Sequence, residues 1–210
     1  MNRKNLRMAA EFLRGKEEQL ERHENLYKRQ GAEKVRHALQ AFIADPSARF
    51  KHLQLPPLNL LNWRSSQPIE RIAAERPEVF REALARLWQT GNADDFWAVL
   101  DPALDLLDGV ERGKFASVAA RANLASYLLF VRDPARHPYF KSSYGGKGIR
   151  FIFGEAMDGR SPGKLLTEYT RRCEVLRESL GEEGVNLRDA LDTQSALFLI
   201  VDDLLPTIGT

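Results

Sequence analysis

Cysteine is almost absent: Cys173 stands alone, so no internal disulfide can form and a reducing compartment is expected. No apolar run approaches the roughly 20 residues that span a bilayer. The charged start also lacks the apolar segment of a signal peptide. A cytoplasmic protein without membrane contact is therefore expected. The four histidines (His23, His37, His52, His137) stand at no metal-ligand spacing, and no Cys/His cluster exists. Asp192 with Asp202-Asp203 is the one carboxylate set to weigh as metal ligands, but neighbouring aspartates on a helix point apart. A Gly-x-x-x-x-Gly-Lys-Ser/Thr phosphate loop is missing. So is any apolar–polar alternation long enough for a strand. Net charge is also scarce, at +2 over 210 residues, so a basic surface can come only from how the charges are distributed. These absences argue against a disulfide scaffold, a membrane span, a P-loop nucleotidase and a zinc module; no cofactor and no metal are expected, and no catalytic residues can be assembled.

The distribution is uneven. Residues 112–150 hold eight Lys/Arg against one Asp, a net +7 that the rest of the chain must offset. Their first half has helical spacing, with Phe115, Val118, Ala119, Ala122, Ala125, Leu128 and Leu129 on one stripe. Asp133-Pro134 should end this helix, because proline disfavours helical geometry in the residue before it. A loop containing Tyr139, Phe140, Tyr144, Gly145 and Gly146 follows, and its aromatics read as exposed.

Elsewhere the pattern is helical throughout. Residues 1–45 form one or two helices broken near Gln30-Gly31, with a thin stripe (Leu6, Ala9, Ala10, Leu13, Leu20) among many charges. Residues 1–52 carry 12 Lys/Arg against 7 Asp/Glu, which reads either as a solvated face or as a docking arm. Residues 46–67 form a strap rich in proline and leucine that should pack over the core. Ser65 or Ser66 could cap a helix starting near Pro68. Pro77 opens the next helix, Gly91 ends it, Asn92 caps another, and Pro102 must kink or divide that one. The run Ile149, Ile152, Phe153, Ala156 forms a short helix closed by Asp158-Gly159. Ser161-Pro162 caps a long helix through Cys173, and a last helix over 187–205 is stopped by Pro206. The expected fold is all-α: an irregular multi-helix bundle with a charged helical extension (1–45), a strap (46–67) and a helical core (68–210).

Two local patterns hint at phosphate. Tyr144-Gly145-Gly146-Lys147-Gly148 is glycine-rich but does not follow a strand. Asp108-Gly109 precedes the 112–129 helix in the outline of a helix-hairpin-helix, whose turn amides would face a phosphate. The place usually held by that motif's second glycine is Glu111, whose carboxylate would repel phosphate, so a tight interhelical turn is the preferred reading.

Three stretches also carry a resemblance: 67–88, with Phe80-Arg81-Glu82-Ala83-Leu84; 125–139, with the turn Asp133-Pro134-Ala135-Arg136-His137-Pro138-Tyr139; and 187–195, with Asp192-Thr193-Gln194-Ser195. Together they resemble the helical regions that precede the AAA+ motor in McrBC-type restriction GTPases and related prokaryotic defence ATPases. The resemblance spans about residues 60–205. It implies an accessory module working with separate subunits, such as an AAA+ ATPase or a nuclease, because this chain has neither motor nor nuclease of its own. No catalytic residue is carried over.

The expected function is thus a non-catalytic module of a defence or restriction-type complex that contacts nucleic acid, DNA before RNA. The expected contacts are Arg112, Lys114, Arg121, Arg136, Lys141, Tyr144, Lys147 and Arg150. A protein–protein scaffold is the alternative. An enzyme would need a pocket gathering Asp192, Gln194, Ser195 and a histidine.

Overall fold

The computed structural model describes residues 1–50 and 52–209. Helices follow one another throughout, and no strand occurs among the described residues. Helix α1 (Arg3–Leu13) is followed by α2 (Glu17–Gln19), which runs through a π-helical stretch, Leu20–Asn25, into α3 (Leu26–Ala44). The strap then leads to α4 (Trp63–Glu75), α5 (Pro77–Thr90) and α6 (Ala93–Leu100), the last prolonged by a 3-10 segment, Asp101–Leu106. A short α7 (Gly109–Gly113) precedes α8 (Val118–Arg132). After the loop come a π turn at Ser142–Gly146, α9 (Lys147–Phe153), α10 (Pro162–Glu182) and α11 (Ala190–Leu199). A π stretch, Ile200–Leu204, joins α11 to α12 (Leu205–Thr207).

Helix α8 is the axis. Every residue from Leu124 to Val131 is buried, and the helix packs against α3, α5, α6 and α10. Its backbone also receives two tryptophans: Trp88 Nε1 donates to the Leu128 carbonyl and Trp97 Nε1 to that of Arg121, each at 3.1 Å. The boundaries follow ordinary end chemistry. Gly91 takes φ 70°, Asn92 caps α6, Ser161 caps α10 with Pro162 behind it, and Asp133 ends α8. Pro102 turns the end of α6 into the 3-10 segment. The strap lies over the core as expected, with Leu53, Leu58 and Leu61 buried. Two tyrosine hydroxyls hold it: Tyr127 donates to the Leu53 carbonyl at 2.5 Å and Tyr139 to that of Leu60 at 3.1 Å.

Several expectations are overturned. The N-terminal helices are not an extension: Leu6, Ala9, Ala10, Leu13 and Leu20 belong to the same buried cluster as α8, and α1 packs against α9 and α10. Their stripe is thin because two of its members are alanines, which let helices approach closely. Gly31 does not break α3. It lies under the strap, where a Cβ would collide with Leu58. Asn62, whose side chain accepts from the Arg64 N–H at 3.0 Å, caps α4 in place of Ser65 or Ser66, so Pro68 falls inside that helix. Helix α9 ends at Gly154, at φ 81°, before Asp158-Gly159, and the last helix continues through Pro206.

Candidate functional site

The loop after Pro134 does fold back along α8. Asn123 Nδ2 donates to the Phe140 carbonyl and to the Tyr139 hydroxyl, both at 2.7 Å, and the Phe140 N–H donates to Ser126 Oγ at 3.0 Å. This brings Tyr139 and Phe140 into the core, 5% and 2% exposed, and not onto the surface. An irregular loop has no periodicity from which their burial could be read.

The eight expected nucleic-acid residues separate. Arg121 is committed to the fold: its Nε donates to the Phe115 carbonyl at 2.8 Å, its guanidinium pairs with Asp101 at 2.9 Å, and it lies over the Trp97 ring at 4.8 Å. Arg112 stands beside the same Asp101 depression, and Lys114 closes α7. Arg136 borders another hollow with Glu174 and Arg177. Lys147 and Arg150 flank a shallow groove together with Asn5 of α1 and Leu205. Lys141 and Tyr144 line a deeper cavity, and the Lys141 ammonium lies 5.2 Å over the Tyr144 ring. The expected contacts thus border several hollows: Lys141 and Tyr144 one, Lys147 and Arg150 a second, Arg136 a third and Arg112 with Arg121 a fourth.

The hairpin reading also falls. Asp108 Oδ1 accepts from the N–H groups of Val110 and Glu111 at 2.9 and 2.8 Å, so the amides that would meet a phosphate are already capped. Glu111 in turn pairs with Arg71 at 2.7 Å. Packing accounts for the glycine run as well. A Cβ at Gly145 would lie 2.8 Å from the Tyr169 hydroxyl, and one at Gly148 would lie 2.8 Å from Leu197.

The cavity behind Lys141 measures about 200 Å³. Its charged floor is Lys28, 2% exposed, whose Nζ donates to Glu24 Oε2 at 2.7 Å and to Ser195 Oγ at 3.0 Å. Burial pulls the Lys28 ammonium below the usual lysine range, against the opposing pull of Glu24. Beside it, burial and then the Glu24 charge push the Tyr27 phenol up to about 12. Gln194 Oε1 accepts from the Tyr139 N–H at 2.9 Å. Tyr144 and Phe198 form one wall, their ring centroids 4.8 Å apart. Of the residues that an enzyme pocket would gather, only Gln194 lines this cavity; Ser195 is fully buried behind Lys28, and no histidine is among the lining residues.

Asp192 is held apart from the cavity. It takes two hydrogen bonds from the Arg188 guanidinium, at 2.9 and 3.0 Å, one from the Arg188 N–H at 2.8 Å, and others from Asn25 and Arg29. The run Asp192–Ser195 is a buried polar seam tying α11 to the N-terminal helices and to the loop. Lys28 is easily passed over, because charge in this region of the sequence reads as solvated surface. The usable signal is periodicity: the stripe Phe42, Leu39, Val35, Ala32, followed back one turn, lands on Lys28.

Burial pushes the Cys173 thiol up to about 12, as suits a packing residue. Among the described residues no His/Cys/Asp/Glu group is placed to hold a metal ion, and no helix is long and apolar enough to cross a membrane. No known protein family, curated protein or solved structure matches the chain.

Proposed function

We propose that the chain is a non-catalytic accessory module that contacts nucleic acid, DNA in the first place, along residues 141–150. One observation carries this reading. Lys141, Lys147 and Arg150 are exposed cations with no ion-pair partner among the described residues, and no acidic residue lies between Asp133 and Glu155 in the chain. Lys147 and Arg150 are three apart on α9 and share its outer face, opposite the buried Ile149 and Ile152. Lys141 and Lys147 stand six positions apart, on either side of the π turn Ser142–Gly146. Three unpaired cations so spaced favour an extended polyanion, and each phosphate they neutralise releases counterions. The complete burial of Ser195, whose oxygen accepts from Lys28, favours a binding role over a nucleophilic one. The likeness to helical regions beside AAA+ motors supports a place in a cytoplasmic defence or restriction-type complex whose ATPase or nuclease is a separate subunit.

Changing Lys141, Lys147 and Arg150 together to Glu is expected to weaken oligonucleotide binding and to flatten its dependence on salt, by about one unit of log–log slope for each phosphate no longer neutralised. The melting temperature should scarcely move, because none of the three side chains is buried. Unchanged affinity and slope would transfer the role to the protein–protein scaffold reading.

A further inference from the structure

The cavity behind Lys141 has more hydrogen-bonding capacity than the fold uses. An ammonium has three donors, and Lys28 spends two of them, on Glu24 and Ser195. Gln194 is 8% exposed; its carbonyl oxygen is taken by the Tyr139 N–H, while its NH2 has no acceptor among the described residues. The hydroxyls of Tyr27 and Tyr144 are likewise without a partner among the described residues, and both line the same space. Tyr27 and Tyr144 are only partly buried, so these donors open on the void and are not sealed in the core, and polar groups converging on a cavity favour an occupant that carries acceptors.

The walls describe the rest of that occupant. Tyr144 and Phe198 offer ring faces, and the Lys28 ammonium lies 5.9 Å from the Phe198 centroid. At about 200 Å³ the space is below the roughly 300–1,000 Å³ of sites for drug-sized ligands, so it takes one ring system and no more. The Lys28 charge is already matched by Glu24 at 2.7 Å, so the floor prefers a neutral acceptor to a second carboxylate. Free positive charge stands at the exposed rim, on Lys141, near the exposed Asn59.

We infer that this cavity binds a small planar anion, a single aromatic or heteroaromatic ring with a hydrogen-bond acceptor on its deep edge and a carboxylate or phosphate at its outer end. The deep edge meets Lys28 and Gln194, the ring lies against Tyr144 and Phe198, and the anion meets Lys141. A free aromatic acid and a mononucleotide share this chemistry.

Saturation-transfer NMR on the full chain separates these sources, with para-hydroxybenzoate, uridine monophosphate and the uncharged para-hydroxybenzyl alcohol as probes. At least one anionic probe is expected to bind, more tightly than the alcohol. Transfer to para-hydroxybenzoate alone assigns the site to an aromatic acid, and transfer to uridine monophosphate alone assigns it to a nucleotide. Gln194→Glu keeps the oxygen that serves the Tyr139 N–H but replaces the free donor by a negative charge, so it should weaken probe binding about tenfold or more with the fold intact. Tyr144→Phe, a milder change, checks the result should Gln194→Glu disturb the loop. The double change Lys147→Glu, Arg150→Glu should leave the free probes bound while strand binding falls, which separates failure here from failure of the nucleic-acid surface. The inference is overturned if neither anion binds, if the alcohol binds as well as the anions, or if folded Gln194→Glu and Tyr144→Phe proteins both bind them as the parent does.

Discussion

A chain lacking residues 1–30 is expected to lose its cooperative melt and to be recovered largely insoluble. The deletion removes Leu6, Leu13 and Leu20, all buried, with Ala9 and Ala10 at complete burial between them. Three leucines at roughly 1.5–3 kcal/mol each amount to much of the ~5–15 kcal/mol that ordinarily holds a domain folded. The damage extends beyond apolar area. The Asn2 N–H donates to the Ile152 carbonyl at 2.8 Å, Asn5 Nδ2 to that of Phe151 at 2.7 Å, and Arg14 to that of Glu183 at 2.9 Å. Lys28, Asn25 and Arg29 would go as well, leaving the buried Ser195 hydroxyl without its partner and Asp192 with Arg188 alone. A soluble truncated protein with a sharp transition near that of the full chain would mean that the N-terminal helices lie outside the core after all.

Asp192→Ala should be the most damaging single change among the polar residues, costing about 2–3 kcal/mol, because it leaves buried donors without an acceptor while the guanidiniums it releases are partly solvated. In a chain of this size that is a fall in Tm on the order of 10 °C. Alanine would strand the Asn25 amide and the backbone N–H of Arg188 in a site that Asp192 now fills at 4% exposure, and would leave Arg29 with Asp189 alone. Burial alone would push the Asp192 carboxyl up, but the hydrogen bonds and charge of Arg188, with the charge of Arg29, outweigh it and hold the carboxyl below its ordinary value. The network's contribution is therefore complete above the unfolded carboxyl value of about 3.9 and disappears as pH falls through the lower folded value. The gap in stability between parent and variant should accordingly be constant at neutral pH and close only in strong acid. A gap that widened on acidification would show that the carboxyl is destabilised in the fold.

The parts of this structure that are legible in the sequence are those with a local physical signature. Asn92, Ser161, Pro77 and Gly91 act at helix ends through their own backbone and side-chain chemistry, so their roles are the same in isolation and in the fold. The stripe of α8 marks the axis for the same reason. What stays hidden depends on partners distant in sequence. Leu6 and Leu13 look too sparse to be core until α9 and α10 lie against them, and Gly31 looks like a break because its reason, Leu58, comes from the strap. Tyr139 and Phe140 look exposed because their burial depends on Asn123 and Ser126. Lys28 is hidden most deeply, since a lysine in a charged helix is ordinarily solvated. Only its register with Val35 and Leu39 betrays it.

The most direct measurement of the central claim is ultraviolet cross-linking of a bromouracil-substituted single strand to the purified chain, with the attached peptides identified by mass spectrometry. Attachment is expected within residues 141–150, centred on Tyr144, and should disappear when Lys141, Lys147 and Arg150 are all changed to Glu. Attachment confined to other segments, such as the α7 region around Arg112, or undiminished in the triple variant, would contradict that claim.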